Sequence, residues 1–211
     1  MKIEKISDIY EVLKGYTRKK RLVVAFANDS HSIEAVYMAV KAGLVEGILV
    51  GDTETIQGVC KENGYDESCF KIVHEPNDVR GAEAAVEMIR NGEADVIMKG
   101  LVSTDKYMRA ILNKERGLVA PNAILSHVVV MECSSYHKLL TVSDVAVIPC
   151  PDLNQKISMI KYVTITAKAL GVEKPKVAMI LRRNRSCLKC SLRSMLPSCR
   201  KWESGDRSQG A

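Results

Sequence analysis

The sequence predicts an α/β fold built on a doubly wound, mostly parallel sheet, and three observations carry that expectation. Short β-branched runs alternate with stretches whose apolar residues recur at three- and four-residue spacing, the pattern of βαβ units. The strands read as near-continuous apolar runs, as in Arg21-Leu-Val-Val-Ala25, which fits burial on both faces of a parallel sheet. Capping residues stand where each helix should start and glycines where it should stop.

Taken in order, strands are expected at Leu22–Ala25, Gly47–Val50, Phe70–Val73, Asp95–Met98, Ser126–Met131, Ala146–Ile148 and Lys176–Ile180. Asp29 and Ser30 open a helix with the stripe Ile33, Val36, Tyr37, Val40, ending at Gly43. Asp52 and Thr53 open a second, ending at Gly64. Asn77 and Asp78 open a third, with the stripe Ala82, Ala85, Val86, Ile89 and a stop at Asn91-Gly92. A tight Lys99-Gly100 turn leads from the Asp95–Met98 strand to Ser103-Thr104-Asp105, a further helix start. Ile157, Ile160, Val163 and Leu170 make a late helical stripe. No repeat or linker interrupts this before Ile180, where the periodicity stops.

The 211 residues are 46% hydrophobic and 27% charged, with a mean hydropathy of −0.04, enough to bury a core. There is no apolar run long enough to span a membrane, and the start Met1-Lys-Ile-Glu-Lys lacks the apolar centre of a signal peptide. A cytoplasmic protein with no membrane partner is expected. The net charge of +6 lies wholly in residues 181–211, which hold eight Lys and Arg against two Asp and Glu. The seven cysteines are expected as free thiols. Cys187 and Cys190 form a lone CxxC without a second pair, and the four histidines are scattered, so no metal site is expected.

No GxGxxG, GxxxxGK[ST] or GxSxG occurs, which removes the usual dinucleotide, P-loop and nucleophile-elbow signatures. The most chemically loaded segment is Met98-Lys-Gly-Leu-Val-Ser-Thr-Asp-Lys-Tyr-Met-Arg109. It leaves the carboxyl end of a buried strand, where ligands of open α/β sheets bind. Lys99 supplies a cation, Gly100 a close backbone approach, and Ser103 and Thr104 hydroxyls and amides at a helix start; the set suits a phosphate or a pyrophosphate. The plainer reading is that Thr104 caps its helix and Lys99 is a solvated edge residue. Ser126 and His127 begin a strand, but sequence neighbours in a strand point to opposite faces and do not make a nucleophile–base pair. Thr141-Val-Ser-Asp144 offers polar groups to a cleft or, more simply, forms a turn between strands.

Together these segments resemble the phosphate acetyl/butyryl transferase family, and its phosphate butyryltransferase branch most. The matching residues are Ala27-Asn-Asp-Ser-His-Ser-Ile-Glu-Ala35, Ala94-Asp-Val-Ile-Met-Lys-Gly-Leu-Val-Ser-Thr104, Leu125-Ser-His127, Tyr136-His-Lys-Leu-Leu-Thr-Val-Ser-Asp144 and Leu170-Gly-Val-Glu-Lys-Pro-Lys-Val177. The resemblance implies reversible acyl transfer between coenzyme A and inorganic phosphate, giving an acyl phosphate and free CoA. It also implies a two-subdomain fold of the isocitrate/isopropylmalate dehydrogenase type, with the site in the cleft between subdomains, and a homo-oligomer for the full-length form. The CoA thioester is then a substrate, with no permanently bound cofactor and no metal. By the same resemblance Lys99, Gly100, Ser103 and Thr104 line the phosphate and acyl side of the cleft, with Ser126, His127, Thr141 and Asp144 as further substrate-binding candidates.

The family continues beyond this point and carries a catalytic Ser-Arg-x-Asp motif that this chain lacks, so the catalytic residues stay unassigned and the second subdomain reads as incomplete. Residues 1–180 read as the family's first subdomain and the start of its second. From Leu181 the tail resembles no family segment and holds six arginines, as many as the preceding 180 residues. Back-translated and regrouped by one nucleotide, permitted codons of its start spell Ala-Ala-Glu-Gln-Val-Leu-Pro-Lys-Met-Gln, a family-like string, so a frameshift near codon 181 is expected. Weak or absent transferase activity and poor solubility follow from that reading. The alternative is an α/β module whose basic arm (Arg182, Arg183, Arg185, Arg193 and Arg200) binds nucleic acid or an anionic surface. No interleaved aromatics support that arm, and no nucleic-acid partner is expected.

Overall fold

A computed structural model describes residues 3–180. The tail from residue 181, with its arginines, its CxxC and the expected change of frame, lies outside the described residues. The described residues divide into two compact units, one of Ser7–Ala123 and one of residues 3–6 with 124–180.

In the first unit, β1 (Lys20–Ala25), β2 (Val45–Gly51), β3 (Phe70–His74) and β4 (Val96–Lys99) form a parallel sheet in the order β3-β2-β1-β4. The helices are α1 (Ile6–Lys14), α2 (Ser30–Lys41), α3 (Thr53–Asn63), α4 (Asp78–Arg90) and α5 (Thr104–Leu112). The expected alternation is borne out through residue 112. Side chains of a strand alternate between faces, and the two cores show it. Val23, Ala25, Ile48 and Val50 face α4 and α5 through Ala82, Ala85, Val86 and Ala110. Val24 and Leu49 face α2 and α3 through Ile33, Val36, Ile56 and Cys60. Both sheet faces are therefore covered, which is why these strands read as unbroken apolar runs.

The caps follow the sequence. Asp29 accepts the Ser32 N–H, Asp52 that of Thr55, and Asn77 those of Val79 and Arg80. Gly64 ends α3 at φ 69°, a left-handed value that favours glycine. α1 is not among the helices expected from the sequence; it carries an apolar stripe of Ile9, Val12 and Leu13, which is only half-buried.

The second unit departs further from expectation. Its strands are β5 (Val129–Met131) and β6 (Leu140–Val142), paired antiparallel, followed by α6 (Leu153–Ala169). The Ser126–Met131 strand is thus shorter than expected, and Thr141 lies in β6, opposite Val130, rather than in a turn. Ala146–Ile148 is not a strand, because the Ala146 and Val147 amides both donate to the Asp144 carboxylate (2.8 Å each) instead of to a ladder. Lys176–Ile180 also forms none: it finds no partner strand among the described residues, and a β-prone run without one gains no ladder. α6 is held by a full capping box, with Asp152 accepting the Gln155 N–H and the Gln155 side chain accepting that of Asp152. The Tyr162 hydroxyl donates to the Ile124 carbonyl (2.7 Å).

No helix among the described residues is long and apolar enough to cross a membrane. Cys60, Cys69 and Cys133 are free thiols, as expected of those three.

Candidate functional site

The chain order of the parallel sheet decides where its polar ends gather. From β1 the chain winds outward through β2 to β3, then crosses back by α4 to lay β4 on the other side of β1. The loops after β1 and β4 consequently leave adjacent strands toward opposite faces, creating a crevice at their carboxyl ends. Lys99, Gly100, Ser103 and Thr104 all stand at this edge.

The edge is tightly laced. Gly100 N–H donates to the Ala25 carbonyl (3.0 Å), Leu101 N–H to that of Phe26 (2.7 Å), and Ala27 N–H to that of Val50 (2.7 Å). Phe26 adopts φ 63°, a left-handed conformation uncommon for a bulky residue, and its carbonyl receives the Leu101 amide. A Cβ at Gly100 would lie 2.3 Å from the Phe26 oxygen, so only glycine permits β4 to turn against the end of β1. Asn28 accepts the Asp52 N–H (2.9 Å) and ties in the end of β2.

Ser103 is the N-cap of α5, its hydroxyl accepting the Lys106 N–H (3.3 Å). The remaining first-turn amides of α5 have no intrahelical acceptor and carry the positive end of the helix dipole. Thr104 is the first helical residue and not the cap; its side chain and those of Lys99 and Ser103 are exposed. Among the described residues the Lys99 ammonium reaches only the neighbouring Gly100 carbonyl, at 3.4 Å. Lys106 pairs with Asp78 across the starts of α5 and α4 (2.6 Å), and that ammonium holds the Asp78 carboxyl below its usual range. The edge thus offers a cation, a hydroxyl and helix-terminal amides to an anion, with no metal needed. Asp29 caps α2 with Oδ1, while its Oδ2 is buried without a protein partner.

The other four candidates belong to the second unit. Ser126 Oγ donates to Asp144 Oδ2 (2.9 Å) and lies 3.1 Å from Ser143 Oγ; the His127 N–H donates to the same Oδ2 (3.0 Å). Burial alone would raise the Asp144 carboxyl, but the amides of Val147, His127 and Ala146 and the Ser126 hydroxyl outweigh it and hold the group far below the carboxylate range. Such a carboxylate is a fixed acceptor, not a proton carrier at neutral pH. Ser126 and His127 are joined through Asp144 and not to each other. The His127 Nδ1 is buried with no protein partner. Thr141, half-buried on β6, has no part in this cluster.

Sequence reasoning missed Phe26, Asn28, Ser143 and the Asp78–Lys106 pair as members of these arrangements. Asn28 and Asp78 each stand next to a helix cap, Asp29 and Asn77, whose signal hides the neighbour's own use. The Phe26 backbone leaves no trace in residue type. An open cavity of about 540 Å³ lies at the opposite, amino end of the sheet, lined by Arg21, Phe70 and Lys71 among others. It is remote from the crevice.

Among the described residues no group of three or more His, Cys, Asp or Glu side chains is placed to hold a metal ion. Residues 80–184 match the family described as phosphate acetyl/butaryl transferase. The chain is 40% identical over 178 residues to a phosphate butyryltransferase of Clostridium acetobutylicum, covering 84% of this chain and 58% of that protein. It is 34% identical over 175 residues to a phosphate acetyltransferase of Thermotoga maritima, covering 83% and 58%. The fold is that of a branched-chain phosphotransacylase from Enterococcus faecalis V583, at a TM-score of 0.61 and 23% identity over 74% of this chain and 54% of that one. The chain thus spans somewhat more than half the length of the relatives it matches. By these matches, and by the parallel sheet that carries the Met-Lys-Gly-Leu-Val segment, the chain belongs to the phosphate acetyl/butaryl transferase family.

Proposed function

We propose that the chain carries the substrate-binding part of a phosphate acyltransferase, which moves a short acyl group between coenzyme A and inorganic phosphate. The observation that carries this reading is the crevice beside β4, where Lys99, Ser103 and the start of α5 face solvent together at the point where the sheet reverses direction. Inorganic phosphate docks there: the Lys99 ammonium and the first-turn amides neutralise its charge, Ser103 and Thr104 orient it, and Gly100 admits it close to backbone.

One phosphate oxygen then attacks the thioester carbonyl carbon. The tetrahedral intermediate collapses with loss of the carbon–sulfur bond, the electron pair leaves on sulfur, and the thiolate takes the proton that phosphate gives up. The products are an acyl phosphate and CoA thiol. The cationic edge opposes the negative charge that builds in this step. Ser126 and His127 contribute on the acyl-CoA side. In the same reading residues 7–123 form the first subdomain, 124–180 begin the second, and the protein is cytoplasmic and self-associating.

Calorimetric titration with inorganic phosphate and with butyryl-CoA tests the reading, alongside phosphate-dependent release of CoA thiol. Lys99→Ala is expected to weaken phosphate binding roughly tenfold or more, the worth of one charge-assisted contact. A folded chain that binds neither ligand and releases no thiol sinks the reading.

A further inference from the structure

We propose that Asp144 is a positioning residue for acyl-CoA, a two-sided acceptor that fixes the Ser126–His127 segment for contact with the thioester substrate. The assignment rests on the acyltransferase reading and gives a role to a carboxylate that does not itself touch substrate.

The geometry uses both carboxylate oxygens. Oδ2 takes the Ser126 hydroxyl (2.9 Å) and the His127 amide (3.0 Å), while Oδ1 takes the Ala146 and Val147 amides (2.8 Å each). Two segments distant in sequence are thereby locked through one side chain. Only a carboxylate can do this, since an amide side chain presents an acceptor on one end and a donor on the other. With its proton committed to Asp144, Ser126 Oγ is the acceptor in its 3.1 Å contact with the Ser143 hydroxyl. The Ser126 hydroxyl proton is thus held away from any other acceptor, which leaves the oxygen's free lone pair to a donor. The same lock holds the His127 backbone while His127 Nδ1 is buried without a protein partner. The amide N–H groups of the acyl-CoA pantetheine arm are donors of the kind the free Ser126 lone pair accepts.

The test compares butyryl-CoA and inorganic phosphate affinities of the 211-residue chain with those of Asp144→Asn and Ser126→Ala, with thermal midpoints on the same samples. Asp144→Asn keeps the side-chain volume but turns a donor toward one pair of donors. Butyryl-CoA binding is expected to weaken about tenfold in Asp144→Asn and severalfold in Ser126→Ala, as for lost bonds to a charged group, with phosphate affinity held within about twofold. A merely structural role would lower the thermal midpoint without separating the two ligands. Folded Asp144→Asn with wild-type butyryl-CoA affinity, or with both affinities reduced alike, overturns the assignment. If Asp144→Asn does not fold, Ser126→Ala decides by the same criterion. A wild-type chain that binds no butyryl-CoA overturns this assignment, and one that also binds no phosphate and releases no thiol overturns the acyltransferase reading as well.

Discussion

In residues 7–123 the sheet is closed on both faces, with Val23, Val24, Leu49 and Ile33 wholly buried, whereas in residues 124–180 only Met159 and Val163 are buried and Ile165 stands 64% exposed. The second region relies instead on polar anchors: the Asp152–Gln155 box, the Tyr162–Ile124 bond and the Asp144 lock. Met131, Val145 and Val177 are also exposed there. These are two ways of holding a chain. Apolar burial scales with area and cooperates across a sheet, while a few directed bonds define local geometry and contribute little net stability each.

Four substitutions probe that contrast, in falling order of expected effect. The first is in the closed core: Leu49→Ala removes a side chain packed from all sides and should cost about 2–5 kcal/mol, read as a fall in the denaturant midpoint. A loss below about 1 kcal/mol would mean that this core is not well packed. Gly100→Ala comes next. Its Cβ would meet the Phe26 backbone oxygen at 2.3 Å and cannot be relieved by a rotamer change, so a cost of about 3 kcal/mol is expected, with loss of phosphate binding at the crevice.

Asp144→Asn should cost about 2 kcal/mol by denaturant titration, because the substitution leaves one pair of donors facing an amide. Its pH dependence has a definite sign. The folded carboxyl sits far below its ordinary range, so its stabilisation is complete above that range and is lost as pH falls through and below it. The gap between wild type and Asp144→Asn should therefore narrow from about pH 5 to about pH 2.5. A gap constant across that interval would show that the four bonds do not hold the charged form. The smallest effect is expected at Ile165→Ser, within about 0.5 kcal/mol, since the side chain lies in water already. A cost like that of Leu49→Ala would show that Ile165 is covered in solution and would erase the contrast.

The two regions also differ in how far their sequences disclose them. Through residue 112 the pattern is readable because the central strands β1 and β2 are buried on both faces and α2 to α5 on one, so hydrophobic period and capping residues report the same elements. α1 is equally legible by its Ile6, Ile9, Tyr10, Leu13 spacing but opens without a strand before it, outside the strand–helix alternation that marks the other helices. Past residue 123 the signals mislead for a physical reason. Ala146–Ile148 looks like a strand, yet the Ala146 and Val147 amides are spent on a side chain two and three residues upstream, a competition that composition does not reveal. Thr141 looks like a turn residue and becomes part of β6 because Val130 is available opposite it.

The candidate residues divide in the same manner. Lys99, Gly100, Ser103 and Thr104 stand together at the carboxyl end of β4, where a glycine turn followed by a helix start places them by local sequence alone. Local pattern and residue identity suffice for the α/β alternation, the caps, the neutral body and the family of the chain. They do not suffice to lay β4 beside β1, which makes the crevice, or to bind Asp144 to Ser126 and His127 rather than offer it to a ligand. Those two outcomes belong to the folded chain, because they depend on which donors and acceptors meet across long stretches of sequence, and no local period encodes such a meeting.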